Sequence, residues 1–427
     1  MKVAVIGAGI SGLSVANLLQ EKGADVTVFE RNSKVGGLIS CSLEQGNLFH
    51  RVGGHVFNSK DQEVNTWFWS KFNQDLEFLK ATRNATIFVQ DNFIDYPIEL
   101  NLSSLPSEIA SKVVDELIGL CANKLAQAPT HEDSFKGFLL RNFGQTLCDL
   151  YFFKYNQKIW NRDLSEISLD WLEGKLPMAK PREIILKNIL KERDEMVHSS
   201  FYYPLKGGSQ FIADRLAESL YISYFDLTQV KMVPGGVTLD ADKAQIYDVL
   251  VYTGNIKSLL GFFDSTVLAK IGIDEQLVSD LYALDSNGTS NLLCECDANQ
   301  YSWVYLPDSK TSFHRIIMTG NFSPGNNSSD ISDDRITCTV EASGYFEQQH
   351  LEQELGKLPF NLKPIAYNYC PDSYVVHSHR TQELLNKILG LLEKHSIFCC
   401  GRFAEWKYYN MDAAIASAMK VSRRIFA

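Results

Sequence analysis

The chain has 427 residues, 45% of them hydrophobic and 11% aromatic, with a formal net charge of −10. Such a length exceeds what one core fills, so more than one domain is expected, and the apolar content excludes an extended disordered chain. The acidic balance provides no basic surface for tracking a phosphate backbone, so no nucleic-acid partner is expected.

The first segment, Val3 to Leu19, is apolar but broken by glycines, and it runs into a charged strand pattern, so it is not read as a leader. No apolar run reaches the roughly 20 residues of a membrane span. Nine cysteines include no C-x-x-C pair and no zinc-type set, so neither a metal site nor a disulfide framework is expected, and the location expected is cytoplasmic.

Lys2 to Ile6 is a short β-branched run, read as a buried strand. It leads into Gly7-Ala8-Gly9-Ile10-Ser11-Gly12 and then a helix. In that spacing Gly7 permits the tight turn, Gly9 lets the backbone approach a pyrophosphate, and Gly12 lets the helix pack close to the strand. The diphosphate then faces unpaired N–H groups at a helix N-terminus. Asp25 to Glu30 is a second strand, and Glu30 ends it where an acid is expected to accept the adenosine ribose hydroxyls, roughly 20 residues on. An acid there disfavours a ribose 2′-phosphate. The following Arg31-Asn32-Ser33-Lys34-Val35-Gly36-Gly37 resembles the extension of flavoproteins of the glutathione-reductase and amine-oxidase type. That resemblance makes the dinucleotide FAD and brings Arg31, Gly36 and Gly37 to its diphosphate.

Further along, residues 103–127 and 131–195 carry helical patterns punctuated by Pro106, Pro129 and Pro177. Phe201 to Pro204 reads as extended, and Lys206-Gly207-Gly208 turns into a helix capped by Ser209. Ile246 to Gly254 reads as a buried strand, strands dominate from about 285 to 370, and the polar stretch Ser323 to Asp334 is expected to be a mobile loop. Ile397 to Cys400 is again a buried strand, and an alanine-rich helix is expected from Ala413 with Asp412 as its N-cap. The fold class expected is α/β, a Rossmann-type FAD-binding domain made from discontinuous segments 1–95, 200–260 and 370–427. It carries a mainly helical insertion at 96–199 and a β-rich substrate-side insertion at 261–369.

Three further segments narrow the chemistry: Gly53-Gly54-His55-Val56-Phe57, Phe152 to Trp160, and Gly401-Arg402 through Tyr408-Tyr409-Asn410-Met411-Asp412. With the N-terminal fingerprint they resemble the UDP-galactopyranose mutase family. Tyr96-Pro97 and Phe313-His314-Arg315 with Asn321-Phe322-Ser323-Pro324 agree with it. The resemblance implies a redox-neutral ring contraction of a nucleotide-hexopyranose to its furanose. Reduced FAD, with NADPH or another reductant supplying electrons, acts there through N5 as nucleophile at the anomeric carbon. It places His55 and Gly54 against the flavin, Arg402, Met411 and Asp412 on the cofactor, and Arg315 on the substrate diphosphate. Tyr155, Asn156, Trp160, Tyr367, Tyr374 and Tyr409 would line the substrate cleft. Lys175 stands where the family has a second diphosphate-binding arginine, keeping the charge and losing the fork. Phe322 and Val375 also depart from the family pattern, on the substrate side. The competing reading is an FAD-dependent oxidase or desaturase of the amine-oxidase or protoporphyrinogen-oxidase type, which shares the E-R-x-x-x-x-G-G stretch. A nucleotide sugar is the partner implied; which nucleotide and sugar is left open, and a homodimer is compatible with the sequence.

Overall fold

A computed structural model describes residues 1–123, 134–169, 172, 180–191, 200–378 and 380–427. Lys175, Pro129 and Pro177 lie outside the described residues. Strands from the two ends and the middle of the chain form one five-stranded parallel sheet in the order Ile397–Cys399, Val249–Tyr252, Lys2–Ile6, Asp25–Glu30 and Tyr221–Tyr224. Its central strands are buried on both faces, which is why they read as continuous apolar runs rather than alternations. The Ile10–Glu21 helix packs along the Met411–Ile425 helix on one face, so the first and last helices of the chain share a core containing Leu13, Ala16, Ile415 and Ala418.

A second sheet of seven strands is mostly antiparallel. Its order is Lys363–Val375, Ser286–Asp297, Arg335–Ser343, Phe313–Ile317, Trp303–Tyr305, Ala85–Val89 and Asn92–Asp95. The last two were expected within the nucleotide-binding segment 1–95. They join the second sheet because Ala85–Val89 pairs in parallel with Trp303–Tyr305, placing Ile87 beside Tyr305. Lys363–Val375, the long outer strand, runs across the expected boundary at 369–370.

The helical region comprises Ser107–Asn123, Phe135–Leu147, a π-turn at Cys148–Phe152, Phe153–Trp160 and Pro181–Leu190. Its apolar faces close over the end of the second sheet, in a core that joins Leu139, Phe143 and Trp160 to Ile87, Tyr305 and Tyr374. The π-turn lies immediately before the Phe153–Trp160 helix, and such turns are common near functional sites. Tyr151 and Tyr155 stack on one face, with ring centroids 5.3 Å apart.

Several local expectations change. Ser209 does not cap its helix: Gly207, at φ +75°, is the N-cap of Gly208–Ala217, and the Ser209 hydroxyl donates to the Ile39 carbonyl. The C-terminal helix starts at Met411 with Asn410 as N-cap, which puts Asp412 in the first turn. The Ser323–Asp334 stretch is pinned rather than loose at its first half. Asn326 is fully buried and donates to the Tyr203 hydroxyl and the Thr319 carbonyl, while Asn327 accepts from the backbone and hydroxyl of Thr337. The amides that marked it as polar are the groups that fasten it.

Candidate active site

The first part of the site is a glycine cradle at the carboxyl end of the parallel sheet. Gly36 donates to the Ala8 carbonyl at 2.8 Å, and Gly9 pairs with Gly36, so the second glycine pair lies against the first motif. At Gly9 an added Cβ would meet nothing nearer than Gly37 Cα at 3.8 Å. At Gly12 the same atom would stand 1.8 Å from the Gly7 carbonyl oxygen. Gly12 is therefore demanded by the fold, whereas Gly9 leaves a space above the helix start. Glu30 is buried at the end of its strand; one oxygen accepts from Ala8 N at 2.8 Å, the other from Asn32. Oε1 takes both the backbone and side-chain N–H groups of Asn32, so Oε2, with the single Ala8 donor, keeps a lone pair for a ribose hydroxyl. Arg31 is exposed beside it, within electrostatic reach of Asp372. The Met411–Ile425 helix adds a second N-terminus with no side-chain cap hydrogen bond, which suits an oxygen-rich ligand.

The second part lies on the face of the seven-stranded sheet. Glu341 is 1% exposed, and one of its oxygens takes three hydrogen bonds. The donors are Arg315 Nη2 at 2.6 Å, the Tyr374 hydroxyl at 2.8 Å and His314 Nε2 at 2.9 Å. Adjacent residues of a strand ordinarily point to opposite faces. His314 and Arg315 reach the same carboxylate because His314 is the extra residue of a bulge: Phe313 opposes Ala342 and Arg315 opposes Glu341. Burial alone would raise the Glu341 pKa, but the Arg315 guanidinium and the His314 and Tyr374 bonds outweigh it and hold the carboxyl well below the usual range.

The glycine loop joins the two parts. At Gly53, with φ +60°, an added Cβ would lie a tight 3.2 Å from Glu341 Oε2 and 3.3 Å from Arg315 Nη2, in a backbone conformation that favours glycine. At Gly54 it would lie 2.6 Å from the Ile317 side chain. His55 follows, with Nε2 buried and lacking a hydrogen-bond partner among the described residues. Burial, with help from the nearby positive charges of Arg402 and Arg315, lowers its pKa to about 4, against the pull of Glu341. A neutral imidazole with an orphaned nitrogen, next to a glycine cradle, fits a flat polar cofactor.

Aromatic residues form the wall. Trp160 meets Tyr374 and Tyr408 edge-on at 6.3 and 6.4 Å, and Tyr374 stacks on Tyr408 at 5.5 Å. Arg402 lies 4.7 Å above the Tyr408 ring and donates to the carbonyls of Ser373 and Tyr409. Thus Tyr408, not Tyr409, belongs to the cluster; the Tyr409 hydroxyl turns to Glu405 at 3.3 Å. Tyr155 stands edge-on to Tyr305 and His314. Asn156 is buried and donates to the carbonyl of Phe152, the last residue of the preceding π-turn. Tyr367 is not brought to the cluster: it packs with the opposite core, and its hydroxyl donates to the Phe346 carbonyl at 2.7 Å. Phe322 lies in a buried ring cluster with Phe201, Tyr203 and Trp303, and Val375 is core. Sequence reasoning missed Glu341 and Tyr408. The signal for Glu341 was a lone acid inside the otherwise apolar and hydroxyl-bearing strand Arg335–Ser343.

Among the described residues no cluster suits a metal ion, and no helix is long and apolar enough to cross a membrane. The fold and the glycine cradle define a dinucleotide-binding protein of Rossmann type. Residues 5–72 match the model of the NAD(P)-binding Rossmann-like domain. The chain is 25% identical to a protein named "Probable UDP-galactopyranose mutase" from Klebsiella pneumoniae, over 98% of this chain and 93% of that one. It is 26% identical to dTDP-fucopyranose mutase of Escherichia coli over 42% of this chain and 46% of that protein. The crystal structure of a reduced UDP-galactopyranose mutase superposes with a TM-score of 0.87 at 21% identity, covering 100% of this chain and 95% of the other. The resemblance to UDP-galactopyranose mutases, carried in the sequence by short motifs, holds from end to end.

Two outcomes follow for the cradle and the histidine. Gly9→Ala is expected to purify without bound dinucleotide and to unfold as the unaltered protein stripped of dinucleotide does, whereas Gly12→Ala, compared in the same stripped state, unfolds at lower denaturant by about 2 kcal/mol or more; absorbance and urea titration read both. For His55, the unfolded chain takes up its proton near pH 6.5 and the folded chain near 4, so stability from this site is complete above 6.5 and is lost as the pH falls. His55→Asn should therefore show a shallower fall in Tm between those values, and parallel profiles would contradict the assignment.

Proposed function

We propose that this chain is a flavin-dependent sugar-nucleotide mutase, interconverting a nucleotide-hexopyranose such as UDP-galactopyranose, or a related sugar, with its furanose form. The observation that carries the reading is the Arg315 guanidinium, held by a buried carboxylate beside an aromatic wall and within electrostatic reach of His55. FAD held there, once reduced by NADPH or another reductant, would supply a nucleophilic N5 for the anomeric carbon with no net consumption of electrons.

The chain's own residues do the rest. Gly7, Gly9, Gly12, Glu30, Arg31, Gly36, Gly37 and the N-terminus of the Met411–Ile425 helix, with Asp412 in its first turn, hold the dinucleotide, and Arg402 sets the loop beside it. His55 presents an uncharged imidazole to the flavin, with Gly54 allowing the close approach. Arg315 neutralises the substrate diphosphate, whose charge rises as the glycosidic bond opens, and Glu341 fixes the fork for that task. Trp160, Tyr155, Tyr374 and Tyr408 exclude water and face the nucleotide and sugar. Lys175 adds a charge without a fork. All nine thiols are free, including Cys294 and Cys338, which face each other across neighbouring strands; this supports a reducing, cytoplasmic setting.

The test is turnover of UDP-galactofuranose, and of a panel of other nucleotide furanoses, by dithionite-reduced holoenzyme, with products separated by chromatography. Pyranose is expected from reduced enzyme and none from oxidised enzyme. No pyranose from any member of the panel, or bleaching of oxidised flavin by substrate alone, would contradict the proposal; bleaching would point to an oxidase.

A further inference from the structure

Arg83 sits on the turn between the Phe78–Thr82 and Ala85–Val89 strands. Its guanidinium lies 4.9 Å from the Trp303 ring centre and 5.5 Å from that of Tyr96, and Nη2 donates to the Tyr305 hydroxyl. Its Nε–H is buried with no acceptor among the described residues, and burial works against its charge while the phenols of Tyr305, Tyr96 and Tyr155 work for it. No carboxylate among the described residues pairs with it. Two other enclosed arginines differ: partly buried Arg315 has Glu341 at 2.6 Å, and buried Arg335 has Asp297 at 2.7 Å. Ring faces offset part of the desolvation of a guanidinium, but a partly buried cation with an unpartnered Nε–H is still open to an anion.

Its position says which anion. Tyr305 lies directly opposite Arg315 on the neighbouring strand, so the two side chains share one face of the sheet. Tyr155 stands edge-on to Tyr305 at 5.2 Å and lies within reach of the Arg315 charge. The phenols of Tyr96, Tyr305 and Tyr155 thus form a row leading from one guanidinium to the other. One end of that row is already compensated within the protein, and the other is not.

We propose that Arg83 is a second anion-binding residue of the substrate cleft, taking an oxygen of the diphosphate whose other oxygens face Arg315. The proposal rests on the reading of the Arg315 cleft as a nucleotide-sugar site and adds a residue to it. It assigns a forked donor to the cleft from within the sheet, independent of Lys175.

Binding of UDP, inorganic pyrophosphate and uridine to the holoenzyme, measured by calorimetry for unaltered protein, Arg83→Met and Arg83→Lys, tests it. Arg83→Met keeps the apolar stem over Trp303, and flavin absorbance and Tm report its folding. UDP and pyrophosphate should weaken about 30-fold or more in Arg83→Met, with Arg83→Lys between and uridine within about twofold of unaltered protein. Unchanged UDP affinity in a folded Arg83→Met, or an equal loss for uridine, would overturn the role of Arg83 while leaving the nucleotide site intact. Pyrophosphate binding that needs Arg83, with no affinity for any nucleotide, would support Arg83 and overturn the nucleotide-sugar reading. Failure of the unaltered protein to bind any of the three would overturn both.

Discussion

The rest of the site depends on one buried charge. Glu341 is taken out of water in the middle of a sheet, at a cost that only excellent pairing offsets. Three donors converge on one of its oxygens from two places in the fold: adjacent residues at a bulge of the neighbouring strand, and a tyrosine two strands away on the outer strand. The bulge at Phe313–Arg315 exists in the register for this purpose, since a regular strand would send His314 and Arg315 to opposite faces. Removing the carboxylate would leave Arg315 uncompensated and the Tyr374 hydroxyl without its acceptor.

The same carboxylate sets how near the two halves of the site can come. Gly53 passes within a Cβ radius of Glu341 and Arg315, which brings His55 from the nucleotide-binding end up to the face of the second sheet. Burial, with the positive charges of Arg402 and Arg315 and against the pull of Glu341, keeps His55 neutral. The division of labour is physical: the parallel sheet offers backbone N–H groups and glycine space for a dinucleotide, while the antiparallel sheet offers a flat face with fixed charges and rings. Joining the first and last strands of the chain in one sheet makes the cofactor end a product of both termini.

How much of this the sequence revealed follows from the range of the interactions. The glycine fingerprint, Glu30 and the Gly36-Gly37 pair are local and directional, and they were legible because each residue type has one mechanical use at that spacing. Glu341 was not, because its partners lie 26, 27 and 33 residues away along the chain, and only strand register brings them together. Tyr408 and Tyr409 differ by one position, and their choice of face is decided by Arg402 stacking on one and Glu405 accepting from the other. Ala85–Val89 lay within the segment expected to bind the nucleotide for the same reason: the sheet it joins is set by a parallel neighbour more than two hundred residues on. Asn326 and Asn327 read as loop residues by composition, yet they are the bonds that hold their segment down.

The account therefore stands on Glu341 being ionised in the folded protein while it holds Arg315. Infrared difference spectra of unaltered protein and Glu341→Gln, recorded in D₂O between pH 5 and 8, test this directly. The account predicts that unaltered protein shows the carboxylate stretch of Glu341 throughout, with no protonated carbonyl band lost on substitution. A protonated Glu341 band in the unaltered protein at neutral pH would contradict it.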